Sequence, residues 1–150
     1  MPEINHRRKA GGLEDGGVRR GRAAEDLARA YLEEQGFRIV GRNLRLADGE
    51  LDLVAWDGAT LVFVEVKARS HGGHGRPEEA VDARKRRRLV SAARAYLARL
   101  AQPLPPCRFD VVALDLLPGK AAGAGGGEGR VLARGKDAIR HLRDAFRPGE

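Results

Sequence analysis

The run Leu61-Val62-Phe63-Val64-Glu65-Val66-Lys67 constrains this chain more than any other stretch. Its β-branched and aromatic residues specify a strand, yet it carries a carboxylate and an ammonium. A charge in an apolar strand costs several kcal/mol unless something compensates it. Side chains alternate along a strand, so Phe63, Glu65 and Lys67 share one face while Val62, Val64 and Val66 share the other. A second apolar run, Leu51 to Trp56, precedes it, with Asp57-Gly58 between the two. Asp-Gly readily takes the positive φ angles of a tight hairpin, so the two strands are expected to be antiparallel neighbours. With Asp57-Gly58 at the turn centre, Trp56 pairs with Ala59, Asp52 falls opposite Phe63 and Glu50 opposite Glu65. Asp52 then joins the face of Glu65 and Lys67, reaching Glu65 along a diagonal of roughly 7–8 Å.

Two clustered carboxylates repel when both are ionised, and a divalent cation between them offsets the repulsion. An oxygen-rich, partly open site that keeps some waters suits magnesium, with manganese as a substitute. Such an ion polarises a phosphoryl group and acidifies a bound water, and Lys67 is placed to orient that water or to stabilise developing negative charge. Phosphodiester hydrolysis is the chemistry that follows. A plainer reading of the same residues stays open, in which Glu65 and Lys67 form a salt bridge on a solvated sheet face and Asp52 is an incidental neighbour.

Around this hairpin the chain reads as helix, three strands, helix, strand, linker and short helix. Residues 1–20 mix His, Arg, Lys, Gly and acids without apolar periodicity and are expected to be a disordered basic arm. From Gly21, Ala24, Leu27, Ala28 and Tyr31 form an amphipathic helix stripe that Gly36 ends. Phe37 to Val40 is the first strand. His71 and His74 lie in a Gly-rich loop that would hold ligands poorly. Pro77-Glu78-Glu79 opens a second helix, whose apolar stripe runs from Leu89 to Leu100 and stops at the prolines from Pro103 to Pro106. Arg108 to Leu114 reads as a fourth strand, parallel to its predecessor across the helical crossover. A flexible Gly-rich linker at 118–130 follows, and Ile139, Leu142 and Phe146 give a last helix stripe. The fold class expected is α/β, a central mixed sheet flanked by helices, in one domain over residues 21–150.

Within 150 residues, 28 Lys and Arg face 21 Asp and Glu, a formal charge of +7 that favours polyanionic partners. Five of those cations are consecutive, Arg84-Lys85-Arg86-Arg87-Arg88, at the front of the second helix. They are expected to contact phosphates, with Lys85 foremost, although a merely solvated helix face would look the same. No apolar run approaches the roughly 20 residues needed to cross a bilayer, so no membrane association is expected and a cytoplasmic location is. Cys107 is the sole cysteine, which excludes an internal disulfide and disfavours a structural zinc site. Asp110, inside an apolar strand, is expected to serve structure. Trp56 and Tyr31 are expected in the core rather than stacked on bases.

Gly49-Glu50-Leu51-Asp52-Leu53-Val54-Ala55 followed by Val62-Phe63-Val64-Glu65-Val66-Lys67 resembles the YraN-like family of uncharacterised bacterial proteins. The likeness extends to Gly21-Arg22, Glu25, Asn43, Arg69-Ser70, Lys85, Leu89, Arg108 to Val112 and Ala145-Phe146. That family is similar to the restriction-endonuclease-like superfamily, whose signature is an Asp, a spacer, then Glu-x-Lys, and especially to archaeal Holliday-junction resolvases. The resemblance implies a restriction-endonuclease-like core in which Asp52, Glu65 and the Val66 carbonyl bind magnesium, Lys67 is the catalytic lysine and Glu25 approaches from helix one. Arg69, Arg84, Lys85 and Arg88 are the expected nucleic-acid contacts.

The leading expectation is therefore a magnesium-dependent endonuclease acting on DNA, including branched or structured DNA. Junction cutting needs two sites, which implies a homodimer. The alternative is a non-catalytic nucleic-acid-binding module on the same fold, and a third is a protein adaptor using the basic arm and helix two. The carboxylates favour cleavage, because binding an anion needs none.

Overall fold

The β-rich residues after the first helix form a meander, as their alternation requires. In the computed structural model, which describes residues 16–70, 82–120, 128–132 and 138–148, α1 (Gly16–Glu34) leads into β1 (Arg38–Leu46), β2 (Gly49–Asp57) and β3 (Thr60–Ser70). Then come α2 (Ala83–Leu97), β4 (Cys107–Lys120), β5 (Glu128–Leu132) and β6 (Ile139–Phe146). The sheet runs in the order β1-β2-β3-β4-β5, with β6 also paired to β4. β1, β2 and β3 are antiparallel in turn, β3 and β4 are parallel across the α2 crossover, and β5 and β6 return antiparallel along successive halves of β4. The result is an α/β fold with a mixed sheet and a helix on each face, compatible with a restriction-endonuclease-like core.

Each face buries its own cluster. Ala24, Ala28 and Leu32 of α1 pack on Leu53, Ala55, Val62, Val64, Val112 and Leu114. Leu89, Ala92, Ala93 and Tyr96 of α2 pack on Val54, Leu61, Phe63, Phe109 and Val111. The alternation of β3 thus divides as the sequence implies: odd positions look toward α2 and even positions toward α1.

The β2–β3 hairpin closes one residue later than its Asp-Gly pair suggests. Asp57 pairs with Thr60, leaving Gly58 and Ala59 as the turn, with Gly58 at a φ of 59°. Only the first turn residue needs the left-handed region, a place where glycine is strongly preferred. Val54, not Asp52, therefore lies opposite Phe63, and regular pairing stops at Leu53 and Val64. Because the displacement totals two positions, face parity survives: Asp52 keeps to the side of Glu65 but is its direct neighbour rather than a diagonal one.

Other expectations need correcting. α1 extends back to Gly16, so residues 16–20 belong to a helix and not to a disordered arm, while residues 1–15 lie outside the described set. The expected helix start at Pro77, His71 and His74, and much of the Gly-rich linker also lie outside it. The linker's residues 118–120 belong to β4 and its residues 128–130 to β5. The last element is a strand, because Ile139 belongs to the α1-side cluster while Leu142 and Phe146 belong to the α2-side cluster. Alternation alone puts Leu142 and Phe146 on the same side, and the irregularity in the β4–β6 register, with Asp144 at a φ of 51°, adds two residues and so leaves that parity unchanged. A bulged strand serving two faces thereby imitates a helical i, i+3, i+7 spacing. Among the described residues no helix is long and apolar enough to cross a membrane.

Candidate metal centre and basic cleft

Asp52 sits where β2 leaves β3. The Val66 N–H, past the last regular pair, donates to Asp52 Oδ2 at 2.9 Å, so a side chain replaces the missing rung. Leu51 and Leu53, which strict alternation would put on one face, pack in opposite clusters, and the strand is irregular at the residue between them. This turn brings the Asp52 carboxyl into hydrogen bonding with Glu65, which is only 5% exposed. Burial, then the charge of Glu65, push the Asp52 carboxyl up to about 8. The Val66 amide opposes that rise, and the hydrogen bond to Glu65 and the charge of Glu25 add to it. Near neutral pH Asp52 therefore keeps its proton, which a divalent cation can replace.

The opposite wall is α2. Asp82 caps this helix, its side chain accepting from the Lys85 N–H at 2.9 Å, and the cap fixes the first turn so that Lys85 Nζ forms an ion pair with Glu65 Oε1. Burial, the largest single influence, would lower the Lys85 ammonium, but the charge and hydrogen bond of Glu65 together with the charges of Asp52 and Asp82 outweigh it and hold the group above its ordinary value. Between the walls lies a cleft of about 680 Å³ lined by Arg45, Asp48, Gly49, Glu50, Asp52, Glu65, Asp82, Arg84, Lys85 and Arg88, among others. Gly49 sets its width, since a Cβ there would fall on the backbone carbonyl of Arg88. The β1–β2 hairpin can approach α2 this closely only with glycine at the contact.

The structure thus brings Asp52, Glu65 and the Val66 backbone together, with Glu25 near enough for its charge to act on Asp52. Arg84, Lys85 and Arg88 line the same cleft. Lys67 falls on the face of Glu65 by alternation but does not line the cleft, and Arg69 lies further along β3, paired with Asp115 in register. Among the described residues no group of three or more His, Cys, Asp or Glu side chains converges to hold an ion. The centre is therefore a two-carboxylate one, within what magnesium accepts when water and substrate complete its shell. Sequence reasoning missed Lys85 as the partner of Glu65 and missed Gly49 as a spacer. Arg86 and Arg87 face away from the cleft and line a different groove.

Asp110 has the structural role expected of it. Fully buried, it accepts from Arg108 Nε at 2.9 Å and from the Asp144 N–H at 3.0 Å, and it meets His141 Nε2 at 2.8 Å. Tyr31 meets the other ring nitrogen of His141 at 3.2 Å. The network joins β4, β6 and α1. Trp56 packs against the α2-side cluster, as expected.

The model of Uncharacterised protein family UPF0102 matches residues 24–114. The chain belongs to this family. The matched span holds Asp52, Glu65, Lys67, Lys85 and Asp110 but stops short of β5 and β6. A UPF0102 protein of Symbiobacterium thermophilum is 53% identical over 95 residues, 63% of this chain and 80% of the relative. One from Solibacter usitatus is 52% identical over 98 residues, 64% of this chain and 74% of the relative. One from Pseudomonas aeruginosa is 48% identical over 103 residues, 68% of this chain and 82% of the relative. The YraN-like resemblance is thereby borne out at the level of an uncharacterised family found across many bacteria.

Proposed function

We propose that this UPF0102 protein is a magnesium-dependent endonuclease that hydrolyses phosphodiester bonds of DNA, branched or structured DNA included. The observation that supports this reading is the contact between the Asp52 and Glu65 carboxyls on one side of a cleft whose α2 wall carries Arg84, Lys85 and Arg88. A structural salt bridge joins opposite charges. A buried pair of acids raises the energy of the fold and is suited to a cation instead.

Asp52, Glu65 and the Val66 carbonyl would hold the ion, whose chemistry would be to acidify a water and polarise a phosphoryl oxygen. Around it the chain's own groups divide the work. Arg84 and Arg88 hold substrate phosphates in the cleft. Lys85 pairs with Glu65 and holds its carboxylate in place, and the Val66 amide keeps Asp52 turned toward it. Lys67 supplies the lysine of the Asp, Glu-x-Lys pattern, orienting water or stabilising the developing charge. The resemblance to restriction-endonuclease-like proteins, and to archaeal Holliday-junction resolvases among them, supports the same assignment and adds Glu25.

The test incubates the purified chain with plasmid, single-stranded and four-way-junction DNA, with magnesium or manganese, beside Glu65→Ala. Cleavage that needs the metal and vanishes in the variant is the expected result. Cleavage that persists unchanged in Glu65→Ala is contamination and refutes the assignment. If neither protein cuts while both bind with a steep salt dependence, the chain is a nucleic-acid-binding module. The Lys85–Glu65 ion pair is the observation that favours that second reading, because it already neutralises one carboxylate.

A further inference from the structure

The five consecutive cations of α2 divide between two grooves. At 3.6 residues per turn they cannot share one direction. Arg84, Lys85 and Arg88 line the cleft, whereas Arg86 and Arg87 line a second groove of about 710 Å³ with Arg94 and, from beyond β6, Arg147. Ala83, Val90 and Ser91 complete its lining, and among the described residues no acid lines it. The whole of α2 carries six cations and no carboxylate. A merely solvated helix mixes signs to limit repulsion, and a face of one sign is a field for an anion.

This second groove is also built. The Arg86 guanidinium lies over the Phe146 ring, 5.5 Å from its centroid, and Arg147 is held by Asp144 at 3.0 Å. Between them Arg87 and Arg94 are exposed, and among the described residues no ion pair or side-chain hydrogen bond engages either.

We propose that the two grooves on either side of α2 hold the two backbones of one DNA duplex, with α2 along its major groove and the far groove taking the strand that is not cut. A helix with its side chains is about 10–12 Å across, and the B-form major groove is about 12 Å wide and admits a helix. Cations on both flanks then meet phosphates on both strands. The deep, narrow major groove of A-form RNA does not admit side chains in this way, so the fit is to DNA. Which strand is cut rests on the nuclease reading, but the two-sided grip does not.

The test measures binding of the full chain to a DNA duplex, an RNA duplex and the component DNA single strand over a salt series, in chelator so that no cleavage intervenes. Arg87→Ala/Arg94→Ala is expected to weaken duplex DNA binding by about tenfold or more and to reduce its log–log salt slope by about 1.8, two phosphates at 0.9 each. Single-strand binding is expected to be unchanged, and Arg87→Lys/Arg94→Lys to keep most duplex affinity. Unchanged duplex binding in the double Ala variant, or equal loss on single strand and duplex, overturns the proposal. RNA duplex bound as tightly as DNA overturns the major-groove placement. Anionic vesicles captured through the same two arginines, without duplex binding, overturn it in favour of a membrane surface. A chain that grips duplex on both flanks but never cuts leaves this inference standing and removes the nuclease.

Discussion

Asp52 makes the fold less stable than it needs to be. Its carboxyl titrates at about 8 in the fold against an ordinary value of 3.8, so between those pH values the folded chain holds a proton that the unfolded chain has released. Stability therefore falls as pH rises from about 4 to 8. Asp52→Asn keeps an acceptor for the Val66 N–H and a donor toward Glu65, imitating the protonated acid without its titration. The metal-free variant is expected to be more stable near neutral pH by on the order of 1–2 kcal/mol, with a flatter pH dependence, while losing cleavage. Thermal melts in chelator over that range measure it, and an unchanged slope would place the titration elsewhere. Asp110 is the reverse case. Burial pushes its carboxyl up, but His141, Arg108 and the Asp144 amide outweigh burial and hold it below its ordinary value. Its contribution is present above pH ~3.8 and is lost as pH falls through the lowered value. Asp110→Ala leaves Arg108 and His141 without their common partner, and denaturant unfolding should show a loss of about 3–5 kcal/mol. Gly49→Ala is expected to lose about 1–3 kcal/mol, because its methyl would meet the backbone of Arg88 rather than a side chain that can turn aside.

At the scale of elements, sequence periodicity was readable wherever one strand face met one layer. β2, β3, β4 and α2 follow from alternation and apolar stripes, and the face shared by Asp52, Glu65 and Lys67 followed even though the turn was placed one residue early, since parity tolerates a shift of two. Reading failed where an element serves two layers or packs by backbone. β6 sends Ile139 to one cluster and Leu142 to the other, which gave a false helical period, and β5 carries few apolar residues and offered none. Lys85 was expected as the foremost phosphate contact, but its pairing with Glu65 escaped notice because the five-cation run hides which member turns inward. Only the cap decides that: Asp82 accepts from the Lys85 N–H and sets the first turn at the wall of Glu65. It also offsets cations placed at the positive end of the helix dipole. Asp82→Ala is accordingly expected to destabilise the chain by about 1 kcal/mol. It should also weaken binding of manganese in a titration, because Lys85 would lose its fixed position beside Glu65. A variant that melts lower but binds manganese normally would limit the cap to a structural role.

The molecule as a whole separates support from chemistry. The Asp110 network and α1 brace one face of the sheet, and on the other the α2 cleft gathers the acids under a band of cations. Among its described residues a chain of 16.3 kDa presents one such cleft. Resolving a four-way junction requires two strand cuts, so a chain with a single cleft must act there as a pair. Light scattering of the protein with junction DNA in chelator is therefore expected to report two chains per junction. An Asp52→Asn sample should give the same stoichiometry, since the proposed grip of Arg84, Arg87, Arg88 and Arg94 does not involve that acid. One chain per junction, with cleavage confined to single nicks, would instead assign the cleft to flaps or loops, where one cut suffices.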